Sequence, residues 1–177
     1  MFSDEYLQQL KLLHSNPKKK KGFGGKIKEL GNFETYLTKW QPITMLDYGC
    51  GKGAILSHLQ NKYPNIKIEG YDPAVVMFDK ISRQNYECIF SNDVLEHIEP
   101  DHIHTVLKHI NELSTKYLWL RIDTVPARKV LPDGRNAHLI IENIDWWTNL
   151  INRHINGNIV FSGQNDKMRI DFAIEKP

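Results

Sequence analysis

Apolar residues along this chain recur in two periods. Some stand three and four apart, the spacing of one helix face, and others come as short continuous runs, the spacing of buried strands. Tyr6, Leu7, Leu10 and Leu13 share one face of a predicted helix that Ser3 can cap, with Asp4 and Glu5 in its first turn and Asn16-Pro17 at its end. Ile27, Leu30, Phe33, Leu37 and Trp40 repeat that spacing up to Pro42. Ile43 to Leu46 then reads as a buried strand that breaks into a glycine-rich turn, and Ala54, Ile55, Leu56 and Leu59 begin the next helix. A second strand covers Ile66 to Tyr71, a short helix fits between Val75 and Ile81, and a further strand covers Tyr86 to Phe90. Ile103, Val106, Leu107, Ile110 and Leu113 form the clearest helical stripe. After it come a strand over Lys116 to Asp123, a polar loop from Pro126 to Asn136 and a helix near Asp145 to His154. Strands at Asn158 to Ser162 and Met168 to Ile174 complete the pattern, the last with Ile170, Phe172 and Ile174 alternating.

Length changes this picture by limiting it: 177 residues suit one domain, here residues 1–177, with residues 1–40 an N-terminal helical cap or lid. No apolar run reaches the length of a membrane span. The start, Met1-Phe-Ser-Asp-Glu-Tyr6, has no basic stretch followed by an apolar one, so no secretory signal is expected. Cys50 and Cys88 are the only cysteines, which argues against a disulfide framework and for the cytoplasm. A net charge of +2 does not by itself point to a nucleic-acid partner, and no membrane partner is expected. The basic stretch Lys18 to Lys21, followed by Phe23, reads either as a solvated linker or as an arm over the site.

Chemistry concentrates in Asp47-Tyr-Gly-Cys-Gly-Lys-Gly53. Gly49, Gly51 and Gly53 leave the turn without side chains, so a ligand can approach the backbone amides and the N-terminus of the helix that follows. A dinucleotide turn needs its third glycine one residue later, and a P-loop needs Gly-Lys-Ser/Thr; neither is present. Asp47 would repel a pyrophosphate yet could hold an ammonium group. Asp72, nineteen residues beyond Gly53, ends the second strand, where an acidic residue of a nucleotide-binding unit accepts ribose hydroxyls.

Leu46-Asp-x-Gly-Cys-Gly-x-Gly53 resembles the first motif of the class I S-adenosylmethionine-dependent methyltransferases, and Val94-Leu-Glu-His97 resembles a strand-end segment found in many of them. The resemblance implies an α/β fold: a doubly wound, mostly parallel seven-strand-type sheet with a C-terminal antiparallel hairpin. It implies S-adenosylmethionine as cofactor, contacted by Asp47, Gly49, Cys50, Gly51, Gly53, Asp72 and Asn92. The chain departs from the family between Asp72 and Tyr86, where about fifteen residues leave the third strand reduced or missing. No adenine-contacting residue can be carried over from that interval.

For the methyl acceptor, Ser91-Asn92-Asp93-Val94 is not the Asn/Asp-Pro-Pro-Tyr of base amino-methylating relatives, and Cys88 lies inside a strand where it cannot serve as a nucleophile. Asp93, Glu96 and His97 stand at i, i+3 and i+4 and share one face if the turn after the strand is helical. His138, after the next strand, can converge on them, because ligands in open α/β sheets gather at carboxyl strand ends. This set resembles the Glu-x-x-Glu-His plus distant His of the small-RNA 2′-O-methyltransferases and the ubiquinone-pathway O-methyltransferases. The resemblance implies a divalent cation, Mg²⁺ or Mn²⁺, on Asp93, Glu96, His97 and His138, although the first position here is Asp rather than Glu. His138 and His97 are the candidate catalytic residues, and in the plainer alternative Glu96 caps and His97 packs against the core. Asp133, Gly134, Arg135 and Asn136 form a polar loop suited to substrate contacts.

The expected activity is methyl transfer to an oxygen, less readily a nitrogen, of an unidentified small-molecule or polymer acceptor. One alternative is a non-catalytic module that binds the cofactor and acts through a partner. A nicotinamide-dependent oxidoreductase fits the glycine spacing and Asp47 poorly.

Overall fold

Six strands form one sheet in the computed structural model, which describes residues 2–15, 30, 32–166 and 169–177. They are β1 (Thr44–Tyr48), β2 (Lys67–Tyr71), β3 (Tyr86–Asn92), β4 (Ser114–Asp123), β5 (Asn158–Asp166) and β6 (Arg169–Glu175), in the order β2-β1-β3-β4-β6-β5. The first four run parallel, and β6 pairs antiparallel with both β4 and β5. This is the doubly wound sheet with a terminal hairpin that the family resemblance implies.

Chain order and spatial order part company at β1, which has β2 on one side and β3 on the other. At such a switch point the flanking connections leave in opposite directions, and a crevice opens beyond the carboxyl ends of the two strands. Asp47 stands opposite Gly70 on β2 and Phe90 on β3, the last of the β1–β3 pairs, so the motif residues stand at that crevice.

Two apolar layers hold the sheet. Helices α2 (Phe33–Trp40) and α3 (Ala54–Lys62) bring Phe33, Leu37, Leu56 and Leu59 against Met45, Ile68, Cys88, Phe90 and Trp119. On the opposite face α4 (Ile103–Leu113) and α5 (Ile144–His154) pack Val106, Leu107, Ile110, Trp147 and Ile151 against Leu46, Ile89, Leu118, Leu120 and Phe172. The central strands are covered on both sides, which is why their sequences read as continuous apolar runs rather than alternating ones. Helix α1 (Asp4–Ser15) joins neither layer. Its Tyr6, Leu10 and Leu13 pack on Leu131 and Ala137 of the loop after β4.

No third strand lies between β2 and β3 among the described residues, so β2 is an edge of the sheet. The helix expected over Val75 to Ile81 is a single 3-10 turn, Val76–Phe78, whose Phe78 carbonyl accepts from the Asp72 amide at 2.9 Å. Strand β3 runs two residues beyond Phe90, which makes Asn92 a strand-end residue. The expected loop Lys18 to Lys21 with Phe23, and Ile27 of the second helix, lie outside the described residues. Among the described residues no helix is long and apolar enough to cross a membrane.

Candidate active site

The glycine turn is folded back on the end of β2. Gly49 and Cys50 both donate their amides to the Tyr71 carbonyl, at 2.7 and 3.1 Å, and the Gly51 amide donates to Asp72 Oδ2 at 3.0 Å. Asp72 Oδ1 accepts from the Ala74 amide at 2.9 Å, so this carboxylate ties the turn to the start of the next segment. Each oxygen retains a second lone pair for a ligand hydroxyl. Gly49 has φ +82°, and a Cβ there would lie 2.4 and 2.6 Å from the Val94 methyls, so only glycine fits. Gly51 and Gly53 also have positive φ, and Gly53 precedes the first residue of α3.

Beside the turn, Asp47 is 3% exposed and its Oδ2 has no hydrogen-bond partner. Burial, with the Asp72 charge adding to it, pushes its carboxyl up to about 8. Asn92, on the far side of the crevice, likewise keeps its Oδ1 unpartnered. Two buried acceptors at adjacent strand ends therefore lack a donor, an arrangement that costs stability until a donor arrives. Cys50 is buried and its thiol is raised by that burial and by Asp47 and Asp72, so it is an uncharged part of the turn and no nucleophile.

Beyond β3 the chain makes the turn that orders the other half of the site. Asp93 has φ +55°, a left-handed conformation, and its amide donates to the Arg121 carbonyl at 3.0 Å. The helical turn the spacing suggested is a 3-10 turn over Leu95–His97, beginning only after this left-handed residue. The face-sharing expected of Asp93 with Glu96 and His97 is lost for that reason. Asp93 lies 3.7 Å from Arg169 Nε, which is also 3.9 Å from Asp123. Glu96 and His97 meet His138 instead: one ligating atom from each lies within 4.8 Å of the others, and among the described residues this is the one such group of three.

The three side chains are held firmly. Glu96 is 0% exposed; its Oε1 accepts from the Asp123 amide at 3.1 Å, while Oε2 has no hydrogen-bond partner. Burial, and after it the Asp93 carboxylate, holds its carboxyl well above the ordinary range. The Glu96 carbonyl accepts from Leu139 and Ile140 amides at 2.7 and 3.0 Å, docking the His138 loop onto the turn. His97 Nδ1 lies 2.6 Å from the Ala137 carbonyl and His138 Nδ1 lies 2.5 Å from the Val125 carbonyl. A carbonyl only accepts, so each Nδ1 carries the hydrogen, and in the neutral form of either ring the lone pair is on Nε2. Asn136 shapes this loop by accepting from the Ala127 and His138 amides and donating to the Ala127 carbonyl, all at 2.9 Å. Glu96 Oε2 and two imidazole lone pairs make a set rich in acceptors, suited to a cation or to a hydroxyl that must lose its proton.

Helix α1 and Ser3 before it bond to both segments of the site. The Tyr6 hydroxyl donates to the His97 carbonyl. Ser3 donates its amide and hydroxyl to the Glu99 carboxylate at 3.0 and 2.8 Å, and Gln9 Nε2 donates to Asp133 at 2.8 Å. Near its other end His14 is lowered by burial and pulled the opposite way by Asp72. These contacts escaped the sequence reading. The sequence signal was Gln9, a polar residue at helical spacing from Tyr6 and Leu13, which the structure shows to be buried.

A glycine turn at a switch point, an acidic residue ending β2 and a strand-end Glu-His turn can now be set beside known proteins. The family model described as methyltransferase domain matches residues 11–163. The chain belongs to this methyltransferase-domain family. No curated protein matches it in sequence. Among solved structures it is similar to magnesium protoporphyrin IX methyltransferase from Synechocystis PCC 6803 with bound S-adenosylmethionine, at TM-score 0.67 and 11% identity, over 99% of this chain and 98% of that one. It is also similar to 1,6-didemethyltoxoflavin-N1-methyltransferase from Burkholderia thailandensis, at TM-score 0.59 and 13% identity, over 84% of this chain and 79% of that one. An O-methyltransferase family protein from the same organism superposes at TM-score 0.61 with 14% identity, over 84% of this chain and 53% of the other. The methyltransferase-domain chain thus spans about half the length of that last relative. At such identities these likenesses speak for the fold.

Proposed function

We propose that this protein transfers a methyl group from S-adenosylmethionine to an oxygen of an acceptor molecule, with the acceptor oxygen held at Glu96, His97 and His138. The observation that carries the cofactor half is the buried, unpartnered Asp47 Oδ2 on β1, with an unpartnered Asn92 Oδ1 at the end of the neighbouring β3. An α-ammonium group offers the donors these two acceptors lack, and its charge favours the ionised form of Asp47. Asp72 suits ribose hydroxyls, and Gly49 to Gly53 leave room for the nucleoside. S-adenosylmethionine, when bound, supplies the reactive methyl; the chain's task is to align the acceptor and take up its proton.

For the acceptor half, the residues present fit a divalent cation: a buried carboxylate oxygen without a partner and two imidazoles whose tautomers are set by main-chain carbonyls. Two nitrogen donors and one oxygen favour Mn²⁺ over Mg²⁺, which prefers oxygen alone. A cation there would lower the pKa of a coordinated acceptor hydroxyl. Asp93 is outside this group of three and 3.7 Å from Arg169 Nε, yet near enough for its charge to add to burial in raising the Glu96 carboxyl. A second reading is favoured by the His138 tautomer itself: its Nε2 lone pair can take the acceptor proton with no ion present. Electron paramagnetic resonance of Mn²⁺ titrated into the wild-type protein decides between them. Binding at one site, lost in Glu96→Gln, supports the cation reading, and unaltered free Mn²⁺ signal with the wild type leaves His138 as the base.

A further inference from the structure

Tyr6 is 1% exposed and lies ninety-one residues away in sequence from the main-chain oxygen it engages. That oxygen belongs to His97, in the same 3-10 turn that presents Glu96. The other anchors of α1 are arranged alike. Ser3 engages Glu99, just after the turn, and Gln9 engages Asp133, in the loop that ends at His138. Asp133 also receives Arg135, with Nη2 2.7 Å away, which closes the loop on itself beneath Gln9. Helix α1 thus bonds to both segments that carry the acceptor-side groups, and Tyr6, Leu131 and Ala137 form one apolar cluster between them. A helix that only covered the fold would not direct its buried polar groups at these two loops.

We infer that α1 is a latch whose docking assembles the acceptor side of the site, with Tyr6 as its positioning residue. The hydroxyl holds the His97 main chain, and the His97 ring in turn bonds the Ala137 carbonyl of the His138 loop. With the latch closed the two rings are held beneath α1; with it open, the turn and the loop keep only their direct bonds, Leu139 and Ile140 to the Glu96 carbonyl and His97 to Ala137, and the rings become reachable by an incoming acceptor. The inference rests on reading His97 and His138 as acceptor-side groups. By linkage, whatever binds the cluster stabilises the docked helix, and the docked helix tightens that binding by the same factor.

Carbethoxylation of histidines by diethyl pyrocarbonate, followed residue by residue by mass spectrometry, tests this without substrate or metal. In Tyr6→Phe, which keeps the ring and removes the hydroxyl, His97 and His138 should react about tenfold faster than in the wild type. His104 and His154, which pair with each other outside the latch, should keep their rates and report that the fold is intact. Ser3→Ala, at the half-buried start of the helix, should act in the same direction and serves if Tyr6→Phe fails to fold. Unchanged rates at His97 and His138 in both variants overturn the latch. A parallel Mn²⁺ titration keeps the two readings separate. Faster modification in a protein that binds no Mn²⁺ removes the cation reading and leaves the latch. Mn²⁺ binding with unchanged modification removes the latch alone.

Discussion

His97 and His138 stand edge to face with ring centres 4.7 Å apart, each donating its Nδ1 hydrogen to a main-chain carbonyl. The two carbonyls, Ala137 and Val125, belong to the loop after β4, so that loop dictates the tautomer of both rings. Removing one ring removes a ligand and leaves the Glu96 carboxyl buried with one imidazole. Under the cation reading His138→Ala should weaken Mn²⁺ binding by about a hundredfold or more. Titration followed by paramagnetic resonance checks it, and an unchanged isotherm would remove His138 from the set.

Asp47 makes cofactor binding depend on pH. Its carboxyl stays protonated in the empty site up to about 8, whereas an ammonium ligand favours the carboxylate. Binding at pH 7 should therefore release about one proton, and affinity should rise about tenfold per pH unit up to pH 8. Calorimetry of S-adenosylhomocysteine in buffers of differing ionisation enthalpy measures the released proton. A heat independent of buffer would exclude Asp47 as the ammonium partner.

The same group opposes folding when the site is empty. An unfolded Asp loses its proton near pH 3.9, and the folded one keeps it to about 8. Unliganded stability should thus fall as pH rises across that window. Asp47→Asn should raise it by about 1–4 kcal/mol at pH 7, with the gain vanishing below pH 4. Thermal unfolding against pH reads this directly, and the variant should bind cofactor poorly.

Gly49 and Gly134 share a left-handed backbone but differ in surroundings. A Cβ at Gly49 meets the Val94 methyls, and one at Gly134 meets nothing within 4 Å. Gly49→Ala should cost about 3 kcal/mol or more, from strain and overpacking together, and Gly134→Ala about 1–2 kcal/mol from the backbone alone. Equal losses in urea unfolding would show that the turn does not close on Val94.

Much of the fold was legible because the parallel strands are covered on both faces and the helices carry clean apolar stripes, as in α4. The missing strand was legible from length alone, since the thirteen residues between Asp72 and Tyr86 cannot hold a helix and a strand. Asp47 and Gly49 were legible because the turn is local in sequence, and Asp72 because it follows the end of a strand that pairs with β1. Asp93 was misread for a physical reason: Asp tolerates the left-handed region, and one such residue rotates everything after it off the helical face. The tie between Tyr6 and His97 was beyond reach, because periodicity reports which face is apolar and not which distant main chain a hydroxyl will meet.

Arg121 and Asp171 pair across β4 and β6 with Nε–Oδ1 and Nη2–Oδ2 distances of 2.5 and 2.8 Å, almost wholly out of solvent. They lie two register positions from Asp123 and Arg169, with the Ile122 and Ile170 pair between. Asp171→Asn should cost about 3–5 kcal/mol, since it leaves a buried guanidinium without its counter-charge. A loss under 1 kcal/mol in denaturant unfolding would show that water reaches the pair.

Calorimetric titration of the protein with S-adenosylmethionine, S-adenosylhomocysteine and NAD bears most directly on the central claim. The account predicts that both adenosyl amino acids bind, that Asp47→Asn weakens both, and that NAD gives no heat of binding. Binding of NAD with no response to either adenosyl compound would contradict it.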